Sequence, residues 1–347
     1  MIKTRSPAKL ILSGEHAVVY GKPGLAMAID YYTEVVVGPY KPQIIKFKCP
    51  ELGYECEYSI DEMRKYKERL AARYKRFIQL EIAIKDVLSE PTELLLYTVA
   101  TLIDTVPQGL NIEVSSKIPI GCGMGSSAAM IMSVMKAVNC FLELNMSDSE
   151  LLSLGRQIEN LQHGKSSGLD LQVIMSGGCL KFRTSSQQYL PNASMKGCPD
   201  EIEQLTVAPL PWFSTVNTGT PESTTGEVVT TVAPHFTPEK LAEYFQAVTD
   251  AFADALCKQN LLDLQYATKE NHKLLMHLGV VPERVADFIA SIEQWGGAVK
   301  VCGAGSVKGE QAGVVLIVSE QPHIKLADRF EYQLKEVKMD AYGTEVI

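Results

Sequence analysis

The sequence predicts an α+β fold, and three observations support this prediction. Short apolar and β-branched segments alternate with longer segments in which apolar residues recur at helical spacing. Helices that alternate with strands on a largely antiparallel sheet fit the α+β class. The length of 347 residues allows about two domains, each with its own core. We therefore expect a first domain over residues 1–190 and a second over residues 191–347, separated within the polar connector 184–203.

The N-terminal region predicts a meander of short strands. Lys9–Leu12 is apolar after its lysine, Leu25–Ile29 is a second apolar segment, and Thr33–Val37 is β-branched. Polar turns separate these segments. Taken alone, the polar residues of the first turn, Glu15 and His16, are equally well explained as ordinary turn residues.

Several longer segments predict helices. Asp61–Lys85 is charged with an apolar stripe, as in a surface helix, and Pro91 is well placed to begin the next one. Ser147 and Glu150 have the spacing of a capping box, which predicts a helix start before Leu151–Leu161. In the second half the predicted helices are 238–258, 260–278 and 282–294.

A glycine-rich stretch dominates the N-terminal half, reading K-I-P-I-G-C-G-M-G-S-S-A-A-M over residues 117–130. The alternating segment 111–115 predicts a strand before it, and the apolar run 128–137 predicts a buried helix after it. Glycine lets a ligand approach the backbone closely. The free N–H groups and the positive dipole end of a helix start attract anions. The stretch is therefore a candidate site for several phosphate oxygens.

Two well-known phosphate and nucleotide motifs do not fit this stretch. No Gly-Lys-Ser/Thr follows at Walker A spacing, and the glycines do not open an evident βαβ unit of the Rossmann type. A tight strand-to-helix turn without a ligand is the alternative on the loop sequence alone.

Composition and charge exclude some classes of partner. The net charge of −8 argues against a nucleic-acid partner, because phosphate backbones require clustered basic residues. The N-terminus lacks a signal-peptide core, and no run of 18 apolar residues occurs, so we expect no membrane association. The eight cysteines are scattered without a C-x-x-C pair, which favours reduced thiols in a cytoplasmic protein.

The order of four motifs resembles the GHMP small-molecule kinases, the superfamily of galactokinase, homoserine kinase, mevalonate kinase and phosphomevalonate kinase. These motifs are S-P-A-K-L-I-L-S-G-E-H-A-V-V-Y-G at residues 6–21, the glycine-rich stretch, H-G-K-S-S-G-L-D at 163–170, and G-A-G at 303–305. Within the superfamily, the S-G-E-H-A-V-V-Y-G string looks most like the mevalonate kinase family. The resemblance spans most of the chain and implies a ribosomal-protein-S5-like N-terminal domain and a ferredoxin-like C-terminal domain, with the site between them.

This resemblance implies an ATP-dependent phosphotransferase. The ATP phosphates would lie on Gly121, Gly123, Met124, Gly125, Ser126 and Ser127. The Ser127 hydroxyl and the Glu159 carboxylate match the metal ligands of the family, and Mg²⁺ prefers such oxygen ligands. Glu159 lies eleven positions before Asp170, the spacing found in mevalonate kinases.

Asp170 matches the catalytic base of the family, and Lys9 matches the lysine beside it, which would stabilise a developing alkoxide. The residues implied in substrate binding are Glu15, His16, Tyr20, Thr224, Gly303 and Ala304. The implied substrate is a small molecule with a primary hydroxyl, and the family resemblance points to mevalonate. His163 is equally well explained as a turn residue with a hydrogen-bonded ring. The sequence does not fix the oligomeric state, but dimers are common in the family, so a homodimer is one candidate assembly.

The C-terminal motif departs from the family pattern K-x-T-G-A-G followed by further glycine. Cys302 replaces the threonine, and Ser306-Val307-Lys308 replaces the later glycines. We expect these larger residues to move the loop that normally abuts the phosphate loop, and Lys308 is a candidate for a compensating phosphate contact. The alternatives left open are another GHMP kinase, acting on phosphomevalonate or a sugar, and a non-catalytic sensor with the GHMP fold.

Overall fold

The computed structural model describes residues 1–103, 108–164, 166–184, 201–210, 212–236 and 240–347. Within these residues the chain forms twelve strands and ten α-helices. The strands are β1 (Ile2–Ser13), β2 (Gly24–Tyr40), β3 (Ile44–Cys49), β4 (Tyr54–Ser59), β5 (Gly109–Ser116), β6 (Cys179–Arg183), β7 (Glu201–Leu205), β8 (Phe213–Asn217), β9 (Ala298–Val301), β10 (Val314–Val318), β11 (Leu334–Glu336) and β12 (Glu345–Val346). The helices are α1 (Ile60–Ile78), α2 (Pro91–Leu102), α3 (Ser126–Phe141), α4 (Asp148–His163), α5 (Leu169–Ser176), α6 (Thr225–Val232), α7 (Lys240–Lys258), α8 (Leu261–His277), α9 (Glu283–Glu293) and α10 (Ile324–Arg329).

Among the described residues, eight strands form a large sheet with the order β12-β1-β2-β5-β3-β4, and β6 and β7 extend it from β2. The pairings are antiparallel except for β3 with β5, which is parallel. The other four strands form an antiparallel sheet with the order β11-β8-β10-β9. Helices and strands are thus combined on largely antiparallel sheets, and the predicted α+β class is confirmed.

Strand β1 is central to the fold because it pairs on both sides. Its long antiparallel ladder with β2 places Lys9 opposite Ala28, and register shifts follow Pro7 and Ile11. On the other side, Thr4 and Arg5 pair with the two residues of β12. Bulges of this kind bend a strand and redirect its side chains, and they often occur beside functional sites.

Helix α3 is the buried helix that the glycine-rich stretch predicts. Its alanine, isoleucine, methionine and valine side chains are buried, because the helix packs on β1 and β2 and against α2 and α4. The hydroxyl of Ser133, in mid-helix, forms a 2.9 Å hydrogen bond with Thr4 of β1. A helix that is apolar on all sides fits such a position between other elements.

Most predicted helix starts and ends agree closely with the structure, but the helix predicted over Asp61–Lys85 ends early, at Ile78. Ser147 caps α4 by accepting a hydrogen bond from the Glu150 N–H, and the Glu150 carboxylate accepts one from the Ser147 N–H, as the capping box predicts. The start that we predict at residue 238 for α7 lies outside the described residues. Residues 169–176, for which the sequence suggests no helix, form α5.

The predicted domain boundary at residue 190 lies outside the described residues and stays a prediction. On either side of it, β6 pairs with β7, and both belong to the large sheet. Strand β12 also belongs to this sheet, whereas β8 to β11 form the small one. Among the described helices, none is both long and apolar enough to cross a bilayer.

Candidate active site

A cavity of about 650 Å³ lies where the N-terminal ends of α3 and α5 meet the loop that follows β9. Most of the predicted site residues line it. They are Lys9, Glu15, His16, Gly121, Gly123, Met124, Gly125, Ser126, Ser127, Glu159, Asp170, Gly303 and Ala304. His163 also lies on its wall. A cavity of this size between structural layers is the usual form of a small-molecule site.

Tyr20 and Thr224 are not among the described residues that line this cavity. The ring of Tyr20 stacks on Phe236 with 4.4 Å between the ring centroids. Thr224 caps α6, and its hydroxyl accepts a 3.3 Å hydrogen bond from the Glu227 N–H. The next residue, Thr225, does line the cavity. The substrate-binding roles of Tyr20 and Thr224 stay predictions.

The glycine-rich loop is shaped by positive φ angles that a side chain would strain. Gly121 and Gly123 have φ of 74° and 80°, and Gly125, with φ of 74°, is the N-cap of α3. The loop is attached to β1 by a 3.0 Å hydrogen bond from the Lys9 N–H to the Met124 carbonyl. The N-terminus of a 16-residue helix therefore opens on the cavity with its N–H groups free for an anion.

Lys9 and Asp170 form an ion pair on the cavity wall, with 3.0 Å between Nζ and Oδ1. The lysine side chain is 4% exposed and the aspartate side chain 28%, so the carboxylate is the member of the pair that a ligand can reach. Asp170 lies in the first turn of α5, directly after Gly168 caps that helix with φ of 83°. The aliphatic part of Lys9 packs against Gly125, where a Cβ would lie 3.0 Å from the lysine Cγ. The glycine-rich loop therefore lies next to the Lys9 ammonium and the Asp170 carboxylate on the cavity wall.

Glu159 lies behind this pair on α4 and is fully buried. Burial, followed by the negative charge of Asp170, raises the pKa of Glu159 to about 7. The hydroxyl of Ser166 donates a hydrogen bond to Glu159 Oε2 and accepts one of 2.9 Å from the Gly168 N–H. Ser166 thereby links the buried carboxylate to the turn that leads into Asp170. Ser166 is not among the site residues predicted from the sequence, although it lies within the H-G-K-S-S-G-L-D motif.

The raised pKa of Glu159 predicts that its contribution to the free energy of unfolding depends on pH. The folded pKa of about 7 lies above the ordinary value of 4.5, so between these pH values the folded protein binds more protons than the unfolded one. The contribution of Glu159 to the free energy of unfolding therefore falls as the pH rises from about 4.5 to about 7. We expect the difference in unfolding free energy between the parent and Glu159→Gln to fall by on the order of 2 kcal/mol from pH 5 to pH 8. Urea unfolding of the ligand-free proteins measures it.

The comparison with the variant is needed because burial lowers the pKa values of four described histidines, which act in the opposite direction: His16, His163, His272 and His323. Burial lowers the pKa of His16 and of His272 to about 4, so their contributions rise with pH between about 4 and 6.5. Glu68→Gln, on the exposed face of α1, is the matched control and should leave the pH profile of the parent unchanged. Parallel profiles for the parent and Glu159→Gln would contradict the raised pKa.

The loop after β9 lies directly against the glycine-rich loop. A Cβ on Gly123 would be 3.2 Å from the Cys302 carbonyl oxygen, and the Val314 N–H donates a 3.1 Å hydrogen bond to the Cys122 carbonyl. The loop therefore abuts the glycine-rich loop in this protein, and its displacement relative to the family stays a prediction. Ser306 is accommodated because it is buried and its hydroxyl bonds with the Ser223 hydroxyl at 3.1 Å.

Lys308 is not among the described residues that line the cavity. Its carbonyl accepts a 2.7 Å hydrogen bond from the Ser306 hydroxyl. The phosphate contact suggested for Lys308 stays a prediction.

Lys300 is a site residue to which the sequence assigned no role, although it occupies the lysine position of the K-x-T-G-A-G pattern. It lies on β9 and forms an ion pair with Glu15, and its Nζ also donates a 3.2 Å hydrogen bond to the Ile11 carbonyl. Beside it, His16 Nε2 lies 3.1 Å from the Ala304 carbonyl oxygen. The available signal was a lone lysine within the apolar segment A-V-K-V, because a strand that is otherwise apolar is normally buried.

Residues 93–178 match the family model described as the GHMP kinases N terminal domain. The mevalonate kinase of Pyrococcus abyssi is 28% identical over 324 residues, which cover 88% of this chain and 86% of that protein. The mevalonate kinase of Methanocaldococcus jannaschii is 26% identical over 325 residues, covering 92% and 93%. The chain is similar to the GHMP kinases. With the mevalonate kinase of Thermococcus onnurineus, the chain shares 34% identity over 192 residues, about half of each chain (54% and 53%).

Solved structures support the same fold for this chain. A crystal structure of a mevalonate kinase superposes with a TM-score of 0.77 at 23% identity, covering 98% of this chain and 99% of the other. A crystal structure described as "L. major mevalonate kinase in complex with R-mevalonate" has a TM-score of 0.69 at 18% identity, covering 98% of this chain and 96% of the other. The likeness in fold therefore extends over both sheets.

Proposed function

We propose that this protein is a GHMP kinase that transfers the γ-phosphoryl group of ATP to the primary hydroxyl of mevalonate, giving 5-phosphomevalonate. The observation that carries the proposal is the Lys9–Asp170 pair, 3.0 Å apart, on the wall of the cavity into which the glycine-rich loop opens. Phosphoryl transfer requires a positioned alcohol and compensation of phosphate charge, and these features supply both.

Asp170 has the position of a general base for the acceptor alcohol. Its carboxylate is the more exposed member of the pair, and Oδ1 is the oxygen that lies 3.0 Å from Lys9 Nζ. As the hydroxyl oxygen bonds to the γ-phosphorus and the bond to the bridging oxygen breaks, Asp170 accepts the hydroxyl proton. The ammonium of Lys9 stabilises negative charge that develops on the attacking oxygen.

The glycine-rich loop has the position to bind the phosphates of ATP. The positive φ angles of Gly121, Gly123 and Gly125 turn successive N–H groups towards the cavity side of the helix start. Helix α3 adds the positive end of its dipole. Backbone groups bind phosphate without a basic side chain, which agrees with the acidic composition of the chain.

The chemistry of the cavity fits a bound Mg²⁺. Glu159 is a buried carboxylate whose ionisation is opposed by burial and by the charge of Asp170, so a cation would relieve both costs. Its carboxylate and the hydroxyl of Ser127 line one cavity and are the hard oxygen ligands that Mg²⁺ prefers. Mg²⁺ held there would neutralise charge on the β- and γ-phosphates. Among the described residues, no group of three or more histidine, cysteine or acidic side chains is arranged to hold a metal by itself, as expected for an ion shared with phosphates.

The choice of mevalonate rests on the relatives, which bear the name mevalonate kinase. We place the reaction in the cytoplasm, because every cysteine that the structure describes is a free thiol. A homodimer is the assembly that we propose by analogy with the family.

An acceptor panel tests the proposed reaction. We expect the purified protein with ATP and Mg²⁺ to release ADP with mevalonate and to give at least about 100-fold lower kcat/KM with phosphomevalonate, homoserine or galactose. A coupled ADP-release assay measures this, and mass spectrometry of the product confirms the monophosphate.

Each rival function predicts a different result from the same panel. A kinase for phosphomevalonate or a sugar would release ADP with that acceptor and not with mevalonate. A sensor would bind ATP in calorimetry without releasing ADP with any acceptor. Either result would overturn the proposed function.

A further inference from the structure

We infer that Lys300 is a positioning residue for the acceptor: it holds Glu15 so that Glu15 and His16 accept hydrogen bonds from a hydroxyl of the substrate that does not react. The inference rests on the proposed function and deepens it, since it assigns a specificity role to a residue outside the loop, the base and the metal ligands. Mevalonate has such a second hydroxyl on its third carbon.

Lys300 carries a buried charge that is paired with a second buried charge, that of Glu15. The side chains of Lys300 and Glu15 are 0% and 1% exposed, and removing two charges from water is costly unless they are well paired. The ammonium also donates a hydrogen bond to the Ile11 carbonyl of β1. Lys300 comes from the small sheet, whereas Glu15 follows β1 of the large sheet. The pair therefore fixes the turn after β1 relative to the loop after β9.

Two buried polar atoms beside this ion pair have no hydrogen-bond partner among the described residues. They are Glu15 Oε2 and His16 Nδ1. Buried acceptors without a donor are rare and costly in folded proteins. Both residues line the cavity, so a bound ligand is the natural source of the missing donors.

The protonation state of His16 follows from its contacts. A carbonyl oxygen can only accept, so the contact of His16 Nε2 with the Ala304 carbonyl places a hydrogen on Nε2. Burial lowers the pKa of His16 to about 4, so the ring is neutral near pH 7. Its Nδ1 is then an acceptor, like Glu15 Oε2.

Two acceptors of this kind select for a hydroxyl group. The reacting hydroxyl is assigned to Asp170, which is a separate wall residue paired with Lys9. A second hydroxyl on the same acceptor molecule can donate to Glu15 or His16. A site built to bind a hydroxyl strongly rejects an analogue that lacks it, because the buried polar groups then stay unpaired.

The test compares mevalonate with its 3-deoxy analogue, 5-hydroxy-3-methylpentanoate, in the parent and in Lys300→Met. For the parent we expect kcat/KM to be about 30-fold or more higher with mevalonate than with the analogue. Lys300→Met should raise KM for mevalonate about tenfold or more with a smaller change in kcat, and should reduce the discrimination to within about threefold. The dissociation constant for ATP, measured by calorimetry, should change by less than about threefold.

Two further variants keep this test independent of folding. Glu15→Gln combined with Lys300→Met removes both charges at once, so no unpaired buried charge remains, and it should lose the discrimination equally. Lys181→Met is the matched control, because Lys181 pairs with Asp250 at 2.8 Å and joins β6 to α7 away from the cavity. It should retain both the KM and the discrimination of the parent.

Several outcomes would overturn the inference. A parent that phosphorylates mevalonate but does not discriminate against the analogue would refute the role of the second hydroxyl. Discrimination retained in both Lys300 variants would refute the role of Lys300 while leaving the proposed function intact. A parent that phosphorylates neither compound, but another acceptor in the panel, would refute the proposed function first and the inference with it.

Discussion

Asp170→Asn should lower kcat with mevalonate by about three orders of magnitude, within the range of 10²- to 10⁴-fold that general base catalysis contributes. The substitution keeps the size of the side chain, and its amide oxygen can still accept a hydrogen bond from Lys9, which lies 3.0 Å from the carboxylate. It removes the group that takes up the hydroxyl proton. The dissociation constant for ATP should change by less than about threefold, because Asp170 does not belong to the loop at the start of α3. Steady-state kinetics and calorimetry measure the two quantities.

A second aspartate–lysine pair provides the control. Asp148 pairs with Lys136 at 2.8 Å between α4 and α3, and its side chain is 63% exposed. Asp148→Asn should leave kcat within about twofold of the parent, because exposed ion pairs contribute little. Turnover by Asp170→Asn close to that of the parent would remove Asp170 as the base. An equal loss in both variants would indicate general damage to the structure.

Gly125→Ala should lower kcat/KM for ATP by about 100-fold or more. Gly125 has φ of 74°, and a Cβ there would lie 3.0 Å from Lys9 Cγ and 3.1 Å from Ile174 Cδ1. Relief of these contacts must shift either the start of α3 or the lysine that pairs with Asp170. Displacements of about 1 Å at a phosphate-binding site are sufficient for a 100-fold loss. Initial-rate kinetics with varied ATP measure the effect.

Gly279→Ala is the control that distinguishes the effect of steric contacts from the effect of a strained backbone. Gly279 also has a positive φ, 69°, but nothing lies within 4 Å of the position that a Cβ would take. This variant should lose about 1 kcal/mol of stability from the strained backbone and keep the parent KM for ATP. Equal kinetic losses in the two variants would show that the contact between Gly125 and Lys9 is unimportant.

The parts of the fold that follow local rules could be predicted from the sequence. The glycine-rich loop precedes α3 because strand, loop and buried helix each have a distinct composition. The capping box at Ser147 depends on residues three positions apart, which a sequence shows directly. The family resemblance, which rests on the order of the motifs, predicted most of the other site residues that line the cavity.

Helix α5 was missed because it is short and strongly apolar. Its eight residues, L-D-L-Q-V-I-M-S, are too few to establish a helical period, and an apolar run of that length is equally compatible with a buried strand. Its start depends on Gly168 in the left-handed conformation. The consequence for the site is that Asp170 lies in the first turn of a helix instead of an irregular turn, which makes its position more rigid.

The polar contacts across the cavity could not be predicted from spacing alone. Lys300 and Glu15 are separated by 285 positions, and a lone lysine normally indicates exposure. Ser306 fits where the family pattern has glycine because Ser223 supplies a hydrogen-bond partner from a different segment. Such pairings depend on the arrangement of the two sheets, which local sequence rules do not contain.

The pairing of β12 with β1 has a consequence for biosynthesis. The strand that carries Lys9 pairs through Thr4 and Arg5 with residues 345 and 346, and the hydroxyls of Ser6 and Thr344 are 2.9 Å apart. While the ribosome still holds these late residues, that side of β1 is an open edge in the nascent polypeptide. Because exposed edges invite aggregation, the growing chain needs protection there until residues 345 and 346 have been synthesised and pair with β1.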